Sequence, residues 1–270
     1  MASYSFFFRE SENPFNNLGL PKWPCYLEQC VSHHWSADDS TVEFWDVRNG
    51  PEEVCCSESL TFASFQSLTL GLKCLLEASM EHLRPDKRRL VSILWEPSIL
   101  AAVVVQGVLL AGCAFVPSLH VGYQEHLLQY RRHLAALIVL GPCPKGLSNY
   151  LEQKANLLPS SRCLPPDLVQ HSQLHLRPDF HLFVAGRGDA DGELPWDETE
   201  ASRRLAYCMT TSGSTGPPKT VLVAHSCVTA NVVDLARRFP DPTASSDGLL
   251  LTSPLTFDAS IVQIYLALAT

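Results

Sequence analysis

The sequence predicts an α/β protein of parallel, doubly wound sheets with flanking helices. Three observations predict it. The runs Leu90–Trp95, Cys113–Pro117 and Ala136–Leu140 are short and almost wholly apolar, as strands buried on both faces are. Stretches with helical spacing of apolar residues separate them. The same alternation resumes at Arg204 after a long polar interval.

Residues 1–20 read as an N-terminal tail, and residues 21–270 as one α/β domain. Residues 21–36 have helical periodicity, and Thr41–Val47 reads as a strand. Phe62, Phe65, Leu68, Leu72, Leu75 and Leu76 recur at helical spacing, and Pro85 ends that pattern. Leu90–Trp95 follows as a buried strand. Pro97 opens a second apolar helix running to about Leu110, and Gly112 precedes the strand Cys113–Pro117. Glu125–Leu134 reads as a helix and Ala136–Leu140 as a strand. Order is expected to weaken over about 141–200, where Pro165-Pro166 and the acidic run Asp189–Glu200 suggest an excursion with little core. From Arg204 a strand leads into a polar loop. Thr220–Ala224 forms the next strand, Ser226–Arg238 a helix, Gly248–Leu251 a strand and Ser260–Ala269 a final helix.

Composition narrows the function classes. Hydrophobic residues make up 46% of the 270 and charged residues 18%, which fits a globular core and excludes a disordered chain. A net charge of −8 argues against nucleic acid or an anionic membrane as the main partner. The basic group Lys87, Arg88 and Arg89 reads as a solvated turn. The N-terminus lacks a basic segment, and Phe6–Phe8 is too short for a signal peptide, so a cytoplasmic chain with reduced thiols is expected. No apolar stretch has the length of a membrane span. The ten cysteines include no C-x-x-C pair. Cys25, Cys30, His33 and His34 fit zinc spacing poorly and suit an amphipathic helix better, so no metal site is expected. Arg187-Gly188-Asp189 is read as a chance tripeptide.

One stretch carries chemistry. Leu205-Ala206-Tyr207 is strand-like and runs into Thr210, Thr211, Ser212, Gly213, Ser214, Thr215 and Gly216, then Pro217, Pro218 and Lys219. Thr210, Thr211, Ser212, Ser214 and Thr215 can donate hydroxyl hydrogen bonds to phosphate oxygens. Gly213 and Gly216 let backbone N–H groups approach a ligand closely. Pro217 and Pro218 stiffen the exit, and Lys219 adds a mobile point charge. A plain Ser/Gly-rich surface turn is the alternative. Gly213, Lys219 and Thr220 fall at the spacing of the P-loop of nucleotide triphosphatases. Pro218, however, occupies its second glycine, where an N–H and positive φ are required.

The loop instead resembles the signature Y-T-S-G-[ST]-T-G-x-P-K-G of the adenylate-forming (AMP-dependent synthetase/ligase, acyl-CoA synthetase) superfamily. Thr211-Ser212-Gly213-Ser214-Thr215-Gly216-Pro217-Pro218-Lys219 carries the match, with Thr220 in place of the last glycine. Leu110 to Pro117 resembles the family's L-x-A-G-x-A-Y-V-P element. Leu60-Thr61-Phe62 resembles the start of L-T-Y-x-E-L, from which Ser64 and Phe65 depart. Phe257-Asp258-Ala259-Ser260 resembles the F-D-x-S element of the amino-acid-activating branch. Ser253–Leu268 and Val223–Cys227 are similar to the part of that branch that activates β-alanine.

The resemblance implies the N-terminal part of the large subdomain of an adenylation domain, truncated at Thr270 before the family's later motifs. It implies that ATP activates a carboxylate, a small amino acid such as β-alanine, to an acyl-adenylate for transfer to the thiol of phosphopantetheine or CoA. Thr211, Ser212, Gly213, Ser214, Thr215, Gly216 and Lys219 would bind the ATP phosphates, with Mg2+ as companion ion. Asp258 would pair with the substrate amine, or cap the last helix. His225 suits a structural role or ligand contact equally. No catalytic residue is expected among residues 1–270, a carrier domain is a possible partner, and a catalytically inactive truncated product or interaction fragment is the alternative.

Overall fold

The computed structural model describes residues 4–9, 41–46, 55–81, 90–95, 98–118, 124, 127, 130, 133–171, 173–174, 177–186, 205–211, 219–238, 248–251, 253 and 255–269. The chain divides into two units. One comprises Met1–Ser67, Pro97–Val103 and Val223–Thr270, the other Leu68–Glu96 and Val104–Leu222. No helix among the described residues is long and apolar enough to cross a membrane.

The first unit is built on a four-stranded sheet. Its strands are β1 (Tyr4–Arg9), β2 (Thr41–Asp46), β3 (Cys55–Thr61) and β11 (Gly248–Leu251), in the order β11-β1-β2-β3. All three pairings are antiparallel. The helix His225–Arg238 belongs to this unit and buries His225, Val228, Thr229, Val232, Val233 and Ala236, an i, i+3, i+4 stripe. So does the helix Ala259–Ala269, which buries Ile261, Ile264, Tyr265 and Leu268.

The second unit is built on a seven-stranded sheet. Its strands are β4 (Leu90–Leu94), β5 (Ala114–Ser118), β6 (Leu134–Leu140), β7 (Leu157–Pro159), β8 (Phe180–Ala185), β9 (Leu205–Thr211) and β10 (Lys219–Ala224), in the order β10-β9-β5-β4-β6-β8-β7. Strands β9, β5, β4 and β6 run parallel, and β4, β5 and β6 are buried along their whole length. Alternate residues of these strands build one core: Leu90 and Leu94, Ala114 and Val116, Leu137 and Val139. Leu127 and Tyr130, both helical, and Leu147 and Leu151 of the helix Leu147–Ala155 pack into the same cluster.

Two helices show how the sequence sets local structure. α1 (Phe62–Met80) buries Phe62, Phe65, Leu68, Leu72, Leu75 and Leu76, the residues whose spacing predicts it. Thr61 caps it: its Oγ1 accepts the Ser64 backbone N–H at 3.1 Å and bonds to Ser64 Oγ at 2.8 Å. Ser64 stands where the related signature has glutamate, and it keeps the hydrogen-bonded start of the helix. α2 (Ile99–Leu110) is apolar almost all round and buried almost throughout. Gly112, at φ 69°, ends it. The Gly112 N–H bonds to Leu109 O and the Cys113 N–H to Val108 O, the paired bonds of a Schellman stop. The glycine of the Leu110–Pro117 motif is thus a helix terminator.

Three expectations need correction. The parallel, doubly wound pattern holds only at the centre of the larger sheet. β8 pairs antiparallel with β6, and β7 with β8. The chain comes back beside β6 in the opposite direction, and Gly141 N–H closes onto Asp179 O at 2.8 Å. In the smaller sheet β2 ends at Asp46 and β3 begins at Cys55, a gap shorter than the roughly dozen residues a parallel crossover needs.

The second correction concerns the tail. Within residues 1–20, Tyr4–Arg9 forms a strand between β2 and β11. Its partner β11 lies at the far end of the sequence, so no local pattern announces the pairing. The third concerns the excursion over 141–200. Its described part supplies three helices and two strands and buries Leu147, Leu151, Leu157, Phe180, Leu182 and Val184. Asn156 in the left-handed region and Gly186 join these pieces: Gly186 N–H donates to Asn156 O at 2.8 Å, and a Cβ on Gly186 would lie 2.7 Å from Asn156 Oδ1. The proposed helix over residues 21–36, Cys25, Cys30, His33, His34 and the Arg187-Gly188-Asp189 tripeptide lie outside the described residues.

Candidate active site

The polar loop hangs between neighbouring strands at one edge of the seven-stranded sheet. Thr211 is the last residue of β9 and Lys219 the first of β10. The connecting residues Ser212, Gly213, Ser214, Thr215, Gly216, Pro217 and Pro218 lie outside the described residues. The strand entering the loop is firmly set, since Leu205, Ala206, Tyr207, Cys208 and Met209 are all buried. The Tyr207 ring stacks on Phe115 of β5 with centroids 5.3 Å apart, at the one residue pair where β5 and β9 are in register. The strand leaving the loop is different in kind: Lys219, Val221 and Leu222 are exposed.

Tyr130 ties the two roots of the loop together. Its side chain is 2% exposed and sits in the core beneath the sheet. Its hydroxyl is 2.6 Å from Thr220 Oγ1 and 3.4 Å from Thr210 Oγ1. Thr210 is therefore a root residue engaged with Tyr130, and Thr211 is the first hydroxyl beyond it. Helical spacing places Tyr130 in an apolar pattern, where a tyrosine reads as one more core residue. No local signal singles it out, because both partners lie across the fold.

Asp258 belongs to the other unit. It stands directly before the helix Ala259–Ala269, and its backbone carbonyl accepts the Ile261 N–H at 3.0 Å. Phe257 O accepts the Ser260 N–H at 3.0 Å and the Ser260 hydroxyl at 2.7 Å. Backbone carbonyls thus meet the first donors of this helix. The Asp258 side chain is exposed, and among the described residues none donates a hydrogen bond to its carboxylate. A capping duty does not occupy it. Phe257 is 59% exposed, a large apolar surface beside an available anion. His225 is 1% exposed and opens the helix His225–Arg238, the position of a core residue.

Free thiols occur at Cys74, Cys113, Cys143, Cys163, Cys208 and Cys227. Burial raises the Cys143 thiol above its ordinary value, which suits a packing role. Among the described residues no three His, Cys, Asp or Glu side chains gather as a metal cage.

The chain is similar in sequence to several known proteins. The β-alanine-activating enzyme of Danio rerio is 46% identical over 66 residues, 24% of this chain and 6% of that protein. Tyrocidine synthase 3 of Brevibacillus parabrevis is 38% identical over 143 residues, 46% of this chain and 2% of that protein. The chain therefore matches only a small part of the length of these curated relatives. Among solved structures, the crystal structure of VinN has the same fold with a TM-score of 0.56 at 13% identity, over 92% of this chain and 58% of that one. The family model described as AMP-binding enzyme matches residues 45–270, taking in the β9–β10 loop, the Gly112 turn and the Asp258 turn alike, and the chain belongs to that family.

Proposed function

We propose that this chain supplies the ATP-phosphate-binding loop of an enzyme that activates a small amino acid such as β-alanine. In that reaction a substrate carboxylate oxygen attacks the α-phosphorus of ATP and pyrophosphate leaves. The thiol of phosphopantetheine or CoA then attacks the acyl carbon and AMP leaves. The observation that carries the reading is the placement of Thr211 and Lys219 at facing ends of adjacent strands, so that the hydroxyl- and glycine-rich residues between them are held at both ends.

Thr211, Ser212, Ser214 and Thr215 donate hydroxyls, Gly213 and Gly216 give access to backbone N–H groups, and Lys219 adds a cation. Together they stabilise the charge that builds on the leaving pyrophosphate. Mg2+ travels with the polyphosphate and needs few protein ligands. The exposed Asp258 carboxylate offers a partner for a substrate ammonium group. The similarity to a β-alanine-activating enzyme supports the substrate class.

Amino-acid-dependent exchange of labelled pyrophosphate into ATP tests the reading. In a complete homologue carrying this loop, β-alanine should support exchange, and Lys219→Ala should slow it by at least about tenfold. Exchange unchanged in Lys219→Ala removes the phosphate role. Exchange without any dependence on β-alanine removes the substrate assignment.

A further inference from the structure

We propose that Tyr130 is a positioning residue for the β9–β10 loop, acting through the Thr220 hydroxyl that replaces the glycine of the related signature. The inference rests on the phosphate-binding reading of that loop.

The geometry has three parts. The Tyr130 ring is locked in the core, so its hydroxyl is a fixed point rather than a mobile one. That hydroxyl reaches Thr220 at 2.6 Å and Thr210 at 3.4 Å. These two residues lie one position outside Thr211 and Lys219, the ends of the phosphate-binding run. A phenol and two threonine hydroxyls each donate once and accept more than once, so the phenol can donate to one threonine while accepting from the other. The contact lies at the root of a strand that has a sheet neighbour, β9, on one side. β10 ends the strand order, and Lys219, Val221 and Leu222 are exposed. A glycine after Lys219 would offer Tyr130 no side-chain partner. Threonine does, and its branched β-carbon also favours the extended backbone of β10.

Hydrogen exchange of peptides spanning 205–224 reads the clasp without requiring turnover. Tyr130→Phe and Thr220→Val should each speed exchange of the Thr210 and Thr220 amides by about fivefold, the factor for one hydrogen bond. The double variant should be no faster than Tyr130→Phe alone, and Thr220→Ser should stay near wild type. Trypsin cleavage after Lys219 should accelerate in the same two variants. Wild-type exchange in Tyr130→Phe, or effects that multiply in the double variant, overturns the proposal. A residue that only packs would give that wild-type result, because phenylalanine keeps the ring. Added Mg-ATP separates the two claims. Protection of 205–224 in wild type, weakened in Tyr130→Phe, supports both. Faster exchange in Tyr130→Phe with no protection of either chain overturns the phosphate reading and leaves the clasp standing.

Discussion

Glu58 Oε2 accepts the backbone N–H of Ile99 at 2.8 Å, so a strand residue caps a helix that begins 41 positions later in the sequence. α2 has no acidic residue in its own first turn. Its starting donors would otherwise depend on water or nearby backbone, and a carboxylate also suits the positive end of the helix. Glu58→Ala should lower the unfolding free energy by about 1–2 kcal/mol. Glu58→Gln, which keeps an accepting oxygen, should cost less. Urea unfolding followed by circular dichroism distinguishes the two, and equal losses would remove the charge from the explanation.

Gly107 and Leu72 bring α2 and α1 close. A Cβ on Gly107 would lie 2.9 Å from Leu72 Cδ2 and 3.0 Å from Leu72 Cβ. The second atom cannot rotate away. Gly107→Ala should therefore destabilise by about 1–2 kcal/mol despite alanine's better helix propensity. The pair Gly107→Ala with Leu72→Ala should recover less than additive loss, measurable by the same unfolding curves.

Two further glycines predict opposite signs. Gly71 lies inside α1, and a Cβ there meets nothing within 4 Å. Gly71→Ala should stabilise by about 0.5–1 kcal/mol. At Gly112 the space is equally open, but φ is 69°. Gly112→Ala should destabilise by about 1 kcal/mol for conformational reasons alone. A melting temperature that moves the same way in both variants would show that backbone conformation is not the cause.

Asp258 and Lys219 should separate in kinetics. Asp258→Asn removes the charge while keeping shape, so it should raise the KM for the amino acid by about tenfold and leave the KM for ATP nearly unchanged. Lys219→Ala should act through ATP and pyrophosphate. A parallel rise in both KM values for Asp258→Asn would argue for a helix-start role instead.

How much was legible in the sequence depended on whether the cause was local. The helical stripe from Phe62 to Leu76 and the apolar runs around Ile93, Phe115 and Ile138 announce themselves, because burial repeats at the period of the element. β1 could not be read this way, since its neighbours β2 and β11 are brought to it only by the folded chain. Leu147, Leu151 and Val184 were hidden by the prolines and polar residues around them. In the candidate site, the chemistry of Thr211 to Lys219 was visible as composition. The role of Tyr130 was not, because a hydroxyl at the end of a buried ring has meaning only beside Thr210 and Thr220. Gly112 was visible as a motif position, but its left-handed stop required the backbone.

β10 has a practical consequence. Val221 is 43% exposed and Leu222 38%, and adjacent strand residues point to opposite faces, so neither side of this edge strand is well covered. Handled by itself, such an edge invites pairing with the same strand of another molecule. The purified chain should therefore aggregate through the segment that carries Lys219. Val221→Lys, a charge on that bare face, is the substitution with which to keep it monomeric.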